Sequence, residues 1–383
     1  MAKTLHLLLD CRDLESALSR ESLQIAAETI RSGGLVAFPT ETVYGLGANA
    51  LDPAAIARIF EAKRRPRWDP LIVHISDAAM LGKIARDIPP YAHSLMQRFW
   101  PGPLTLLLPK RESISPAVTA GRPRVGVRMP SHPVALELIR RAGVPIAAPS
   151  ANLFGHVSPT SAAHVMEDLE SRIDAVLDGG ETLHGLESTV VDPCESPVVI
   201  YRPGVVTLEQ IALVCPGATL YSEQTRSGSD VSTAEELAGS PSSAESPVLS
   251  HVDVIGTSAL PSPGLAMRHY APRARLVLVD GEGEAQHAAF NAALVRAQQL
   301  GGDIGLMLPD SFIPATPWGG SAANLHTYNW GRWADPDELA HRLFAGLRYL
   351  DATGAAVIVC PLPSGSGVGA AIRDRLLKAA RQK

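Results

Sequence analysis

The segment from residue 33 to residue 75 constrains the fold most, because it places a helical pattern between two apolar runs. The first run, at 35–38, is opened by two glycines and closed by Pro39, which is typical of a buried strand. A helical spacing of apolar residues starts after Asp52, and a second β-rich run covers 70–75. Strand, helix and strand in this order predict an α/β sheet with a ligand site at the strand ends.

Polar residues and glycines follow the first predicted strand. Thr42 lies in a polar run at 40–44, and Gly45 and Gly47 come directly after it. We expect these glycines to form a tight turn or to let the backbone approach a ligand closely.

The predicted helix ends in a basic loop with the sequence KRRPR at 63–67. Pro66 and Pro70 prevent one continuous helix from carrying these charges on a single solvated face. An exposed surface loop is one interpretation. However, the loop runs directly into the second strand, and the chain has a net charge of -5, so a local cluster of cations favours an anion site. The predicted ligand is a phosphate-bearing substrate.

Two later stretches also carry polar residues at predicted strand ends. Alternation within 121–130 places Arg124 and Arg128 on one strand face, which suits a phosphate or carboxylate, although an exposed edge strand is the alternative. The apolar run that begins at residue 145 breaks into small residues and hydroxyls up to residue 160. Such hydroxyls cap helices or bond phosphate and ribose.

Composition predicts a globular chain of two domains, with 383 residues of which 46% are hydrophobic and 19% charged. Lys and Arg number 34 against 39 Asp and Glu, so the chain lacks the positive excess of a protein that coats nucleic acid. The four cysteines form no CxxC pair, which favours a reducing compartment and argues against a structural zinc site. No signal-peptide pattern or membrane-length apolar run occurs, so we expect a cytoplasmic protein without membrane contact.

Three regions follow from these patterns. Residues 1–217 form an α/β domain, and residues 218–272 have the Ser, Gly and Pro content of a linker, whose end is expected to fold over a neighbouring surface. Residues 273–383 alternate strands with helices and predict a smaller domain with a mostly parallel sheet. We interpret GSGVG at 365–369 as a structural turn, because it closes the chain instead of opening a βαβ unit.

No GxSxG, HExxH or P-loop motif occurs in the sequence. Cations, hydroxyls and a histidine at strand ends are sufficient for nucleotidyl transfer, in which positioning and charge neutralisation supply most of the catalysis. The alternative is an RNA-binding module without chemistry. The acidic balance and an aromatic content of 5% count against it.

A series of ordered motifs resembles the YrdC-like family of threonylcarbamoyl-AMP synthases, in the long form with two domains. The motifs are PTETVYGLG (39–47), KRRPRWDPLIVHI (63–75), WPGPLT (100–105), VGVRMPSHP (125–133), APSAN (148–152), SPT (158–160), ESTVVD (187–192), RPG (202–204) and SPGLAMRHYAP (262–272). The resemblance implies an open, twisted α/β sheet with a large cationic cavity, followed by a smaller Rossmann-like domain.

The resemblance also implies an activity. Such enzymes are nucleotidyltransferases that condense L-threonine, bicarbonate and ATP, with Mg²⁺, into threonylcarbamoyl-AMP and pyrophosphate. The product passes to a tRNA threonylcarbamoyl transferase complex, and a weak contact with tRNA is the most that we expect of the synthase. Carbamoyl transfer in hydrogenase maturation uses a related domain, but the acylphosphatase and zinc-finger parts of those proteins are absent from this sequence.

Site residues follow from the matching motif positions. Threonine is expected to lie among Thr42, His74, Arg128, Ala148 and Ser188. ATP and its phosphates are expected to contact Lys63, Arg65, Asp69, Arg124, Ser150, Ser158, Arg202 and Tyr270. Of these, Lys63 and Arg65 would neutralise the triphosphate and so act in catalysis, and Tyr270 would place the linker over the nucleotide as a lid.

One position departs from the family pattern. Asp69 stands where the family commonly has Asn. A carboxylate there would repel phosphate unless it bonds ribose or helps to hold Mg²⁺. The resemblance identifies no set of metal ligands.

Overall fold

A computed structural model describes residues 3–221, 260, 262, 269–310, 312 and 325–381. Within these ranges the strands form one sheet of eleven strands and one of four. In chain order the elements are β1 (Leu5–Leu8), α1 (Ala17–Arg31), β2 (Val36–Phe38), β3 (Gly45–Asn49), α2 (Pro53–Lys63), β4 (Ile72–His74), α3 (Ala78–Ile84), α4 (Pro90–Phe99), β5 (Leu104–Pro109), α5 (Pro116–Thr119), β6 (Arg124–Arg128), α6 (Pro133–Ala142), β7 (Ile146–Ala147), α7 (Ala162–Leu169), β8 (Ala175–Asp178), β9 (Thr189–Asp192), β10 (Val199–Arg202), α8 (Leu208–Val214), β11 (Thr219–Leu220), β12 (Arg275–Val279), α9 (Gly283–Leu300), β13 (Ile304–Pro309), β14 (Leu325–Gly331), α10 (Pro336–Ala352), β15 (Val357–Pro361) and α11 (Gly367–Ala380).

The large sheet belongs to the N-terminal unit, residues 3–221, and has the order β1-β8-β2-β3-β7-β4-β6-β5-β9-β10-β11. The sheet contains both parallel and antiparallel pairs: β4 is parallel to β6 and antiparallel to β7. This pairing sets His74 beside Arg128 on one side and Ile146 on the other. The ends of β4 and β6 therefore meet at one edge of the sheet, where the sequence predicts ligand binding.

Gly45 and Gly47 do not form the predicted turn. They lie in β3, which pairs antiparallel with β2. A Cβ atom on Gly47 would come within 2.8 Å of the Phe38 ring and 2.9 Å of Ile146. The glycine leaves room for Phe38 in the core, so its reason is packing within the sheet and not a reversal of the chain.

The four-stranded sheet belongs to the C-terminal unit, residues 273–381. It is parallel throughout the described pairs, in the order β12-β15-β13-β14, as the alternating pattern predicts. Sequence reasoning missed β14, whose residues LHTYNWG alternate in exposure as an edge strand does and form no continuous apolar run.

α1 begins at Ala17, where Ser16 caps it by accepting from the Ser19 backbone N–H. The N-terminal sheet continues past residue 217, since β11 pairs with β10. Most of the predicted linker, residues 222–259, 261 and 263–268, lies outside the described residues.

The two units share one hydrophobic cluster. Val43, Val157 and Leu186 of the N-terminal unit pack in it with Tyr270 and with Phe344 of α10. Because apolar contacts hold α10 against the N-terminal unit, the C-terminal unit lies close to the ends of the large sheet. Among the described residues, no helix is both long and apolar enough to cross a membrane.

Candidate active site

Arg128, the last residue of β6, is the centre of the predicted threonine site. Its side chain is buried and holds three partners: Nη1 donates to Thr42 Oγ1 at 2.9 Å, Nε donates to the Gly102 carbonyl at 3.2 Å, and Nη2 lies 2.7 Å from Glu41 Oε1. Burial alone would raise the pKa of Glu41, but the charge and hydrogen bond of Arg128 more than offset this and leave that pKa lowered.

His74 lies beside Arg128 at the end of β4 and is buried. Burial, with a further contribution from the Arg128 charge, lowers the pKa of His74 to about 3. The imidazole is therefore neutral at physiological pH. Its buried Nδ1 has no hydrogen-bond partner among the described residues. Ala148 directly follows β7, which pairs with β4, and its N–H donates to the Ile72 carbonyl at 2.8 Å.

Ser188, one of the residues predicted to bind threonine, is hydrogen-bonded to a second buried arginine, Arg202. Its hydroxyl lies 2.7 Å from Thr105 Oγ1 and accepts from Arg202 Nη2 at 3.1 Å. Arg202 Nε also donates to the Ser188 carbonyl at 3.0 Å. Burial is the main reason that the pKa of Arg202 is lowered, and the nearby Arg375 acts in the same direction.

Lys63 ends α2 with a fully buried side chain. Its Nζ donates to the carbonyl oxygens of Ser150 and Asn152, and its own carbonyl accepts from the Phe154 N–H at 2.9 Å. Burial, followed by the charge of Arg65, lowers the pKa of Lys63 well below its usual value. The lysine thus joins the basic loop to the loop that contains Ser150.

Arg65 and Asp69 form a buried ion pair inside the basic loop. Arg65 Nη2 lies 3.0 Å from Asp69 Oδ2 and donates to the Pro70 carbonyl at 2.8 Å. Burial raises the pKa of Asp69, while Arg65 and Lys63 oppose that rise. The predicted conflict between this carboxylate and a phosphate is therefore reduced, because Asp69 is turned toward Arg65.

Ser158 and Tyr270 meet the C-terminal unit. Ser158 Oγ donates to Glu187 Oε1 at 2.5 Å, and Glu187 Oε2 accepts from Arg375 Nε at 2.8 Å. Tyr270 is buried against Phe344, with ring centroids 5.6 Å apart, and has a left-handed backbone with φ of 63°. The described end of the linker thus lies between the two units.

Arg124 has separate partners from the other candidates. It begins β6, four residues from Arg128, which separates the two Cα atoms by roughly 13 Å along an extended strand. Its guanidinium pairs with Asp192 and with Glu195, the latter at 2.9 Å. Neither of these ion pairs joins Arg124 to another predicted site residue.

A cleft of about 1260 Å³ is lined by none of the predicted site residues. Its walls include Phe154, Arg273, Arg348 and Asp351, and it runs between the two units. Most of the predicted residues are buried, whereas Arg124 and Ser150 are partly exposed, and Arg375 packs over the ring of Tyr270.

Sequence reasoning missed three residues of this region. Glu41 and Glu187 stand in motifs that predict no role for them, although each pairs with a buried arginine. Arg375 lies in the apolar stripe of α11, between Ile372 and Leu376. A charge in an apolar stripe is the signal that could have identified it, because a buried arginine requires a partner.

Hydroxyls and cations together suit a ligand that carries a carboxylate and phosphates. The same hydroxyls and cations do not suit a metal ion held by the protein. Within the described ranges no group of three or more His, Cys, Asp or Glu side chains could bind one, and Asp69 faces Arg65 and Lys63.

Two family models match the chain. The one described as "Telomere recombination" matches residues 28–204, and the one for the C-terminal domain of threonylcarbamoyl-AMP synthase matches residues 206–381. The chain is 41% identical to threonylcarbamoyl-AMP synthase from Pyrococcus abyssi, over 93% of each protein, and 40% identical to that from Bacillus subtilis, over 96% of each.

A solved structure agrees with these matches. The crystal structure of P. abyssi Sua5 complexed with L-threonine superposes with a TM-score of 0.81 at 39% identity, covering 98% of both chains. Identity at this level over nearly the whole of both chains shows that the protein belongs to the threonylcarbamoyl-AMP synthase family, in its two-domain form.

Proposed function

We propose that this protein condenses L-threonine, bicarbonate and ATP into threonylcarbamoyl-AMP and pyrophosphate. The observation that carries the proposal is the convergence of buried cations and hydroxyls at the strand ends, where Arg128 bonds Thr42 and Arg202 bonds Ser188. The relative of known structure that carries L-threonine belongs to the same family, which supports threonine as the amino-acid substrate.

In the proposed threonine site, the threonine carboxylate pairs with Arg128, whose fork can serve two oxygens at once. Thr42 and Ser188 supply hydroxyls, Ala148 leaves space for the substrate, and neutral His74 offers an acceptor or a donor without adding charge. The uncharged form of the amine attacks bicarbonate. This step forms a C–N bond, releases water and leaves a carbamate.

In the proposed ATP site, the carbamate oxygen attacks the α-phosphorus in line. The new P–O bond forms as the bond between the α-phosphorus and the bridging oxygen to the β-phosphate breaks, and pyrophosphate leaves. Lys63, Arg65 and Arg202 neutralise the charge that develops on the phosphates. Ser150 and Ser158 provide further donors, and Tyr270 covers the nucleotide. Arg124 would join them only if ATP drew it from its acidic partners.

Mg²⁺ is proposed as the ion that ATP carries into the site, and not as an ion that the protein holds. The cationic surroundings of Asp69 support this division, because they disfavour a second positive charge at that carboxylate. Transfer of the product to a tRNA threonylcarbamoyl transferase complex, a weak tRNA contact and a cytoplasmic location stay predictions.

The test is pyrophosphate release by the purified protein with ATP and Mg²⁺, with threonine and bicarbonate each present or omitted. We expect release only when both are present, and mass spectrometry should detect threonylcarbamoyl-AMP. Release that does not depend on threonine would contradict the proposal. Tight tRNA binding by folded protein without any release would favour the RNA-binding module instead.

A further inference from the structure

The C-terminal unit places an arginine among the predicted nucleotide residues, and no motif of the sequence gives that residue a role. Arg375 lies on α11 with a side chain that is 0% exposed. Its Nε donates to Glu187 Oε2 at 2.8 Å, while Glu187 Oε1 accepts from Ser158 at 2.5 Å. One carboxylate therefore connects α11 to Ser158, which is proposed to contact ATP.

Arg375 also contacts the residue that is proposed to cover the nucleotide. Its guanidinium carbon lies 5.2 Å from the centroid of the Tyr270 ring, within the range of a cation–π interaction. Phe344 stacks on the same tyrosine, with ring centroids 5.6 Å apart. Two elements of the C-terminal unit, α10 and α11, thus fix the position of Tyr270.

The guanidinium keeps one donor nitrogen unused. Nε serves Glu187, and Nη1 donates to Asp374 Oδ2 at 2.6 Å. Nη2 is buried and has no hydrogen-bond partner among the described residues. A buried donor without an acceptor is unfavourable, and an anionic oxygen is the acceptor that suits a guanidinium best.

We propose that Arg375 is a nucleotide-binding residue that the C-terminal unit contributes to the active site. Its Nε holds Glu187 and thereby Ser158, and its Nη2 donates to a phosphate oxygen of the bound nucleoside triphosphate. This inference rests on the proposed function, because it needs ATP at this site. It gives the C-terminal unit a direct part in substrate binding.

The test compares Arg375→Met with Arg373→Met in the full-length protein, by calorimetric titration with ATP and, separately, with threonine. Arg373 lies on the same helix but pairs with Asp280 inside the C-terminal unit, at 2.7 Å. We expect Arg375→Met to weaken ATP binding about 10- to 150-fold, the range for losing a hydrogen bond to a charged group. Threonine affinity should not change, and Arg373→Met should bind ATP as the unaltered protein does.

A thermal unfolding curve will reveal whether Arg375→Met folds. If it does not, Arg375→Lys is used for the same test of ATP binding. A lysine keeps the charge but cannot serve Glu187 and a phosphate in the geometry of a fork. We expect a folded protein with weaker ATP binding and unchanged threonine affinity. Unchanged ATP affinity in a folded Arg375 variant would overturn the inference. Absence of ATP binding by the unaltered protein would instead overturn the proposed function.

Discussion

Nη2 of Arg128 lies 2.7 Å from Oε1 of Glu41, and both side chains are buried. Removing one partner of a buried ion pair leaves an uncompensated charge, which costs about 3–5 kcal/mol. Glu41 therefore keeps Arg128 in place when no substrate is bound. A substrate carboxylate can then share the guanidinium with Glu41 without moving the arginine.

Substitution of Arg128 by lysine should weaken threonine binding selectively. Lysine retains a charge for Glu41 but cannot donate to Thr42 and to a substrate carboxylate as a fork does. We expect threonine affinity to fall roughly 10- to 150-fold, the equivalent of one hydrogen bond to a charged group. Calorimetric titration measures this, with Arg140→Lys on the exposed side of α6 as the control. Unchanged threonine affinity would show that Arg128 does not bind threonine.

Substitution of Asp69 by asparagine should strengthen ATP binding. The carboxylate offsets the charge of Arg65 at 3.0 Å, and an amide of the same shape would release that charge for phosphate. We expect a gain of about 1–2 kcal/mol, or roughly five- to thirtyfold in affinity. Asp174→Asn, which alters an Asp–Arg pair at the surface, is the matched control. Weaker ATP binding by Asp69→Asn would instead indicate that the carboxylate contacts ribose or the ion that ATP carries.

The buried, neutral His74 should make stability depend on pH. Its pKa is about 3 in the folded protein against 6.5 for an unperturbed histidine. Between these values the unfolded chain binds more protons, so the free energy of unfolding falls as the pH drops from 6.5 toward 3. The contribution of one such histidine is about 1.4 kcal/mol per pH unit. In urea unfolding at pH 7, 6, 5 and 4, His74→Asn should show a shallower dependence, and an equal slope would contradict a buried neutral imidazole.

Substitution of Gly185 by alanine should disturb the contact between the two units. Gly185 has φ of 68°, and a Cβ atom there would come within 2.5 Å of the His341 carbonyl on α10. Gly180 has a similar φ of 79° but open space around it. Gly180→Ala should therefore cost only the backbone strain, about 1–2 kcal/mol. Gly185→Ala should cost a further 1–3 kcal/mol, roughly, for displacing α10.

Chemical denaturation of both glycine variants, together with amide exchange along α10, checks this prediction. Faster exchange near Ala340 in Gly185→Ala alone is the expected result. Equal losses of stability in the two variants would mean that α10 is not held against residue 185 in solution.

The sequence predicts most of the fold because apolar runs and caps are local signals. Asp52 and Pro53 mark the start of α2, and Ser161 caps α7, as their residue types favour. β14 was missed because an edge strand needs no continuous apolar run. The packing role of Gly47 cannot be predicted, because its constraint comes from Phe38 on the neighbouring strand, a contact that no local pattern reveals.

The candidate site, like the fold, contains residues that the sequence predicts and residues that it does not. Motifs predict Thr42, Arg128 and Ser188 as site residues; in the structure Arg128 bonds Thr42, and Arg202 bonds Ser188. Motifs could not identify the pair of Glu187 and Arg375, whose positions differ by 188 residues in the chain. Only the packing of one unit on the other brings these two charges together.

Because α10 and α11 follow the N-terminal unit in the chain, they emerge from the ribosome after it. N-terminal domains generally fold first, while the rest of the chain is still being made. Until α10 and α11 emerge, Val43, Val157 and Leu186 lack the side chains that cover them in the finished protein. A chain interrupted before residue 336 would therefore expose an apolar patch, the kind of surface by which chaperones and proteases select incomplete proteins for removal.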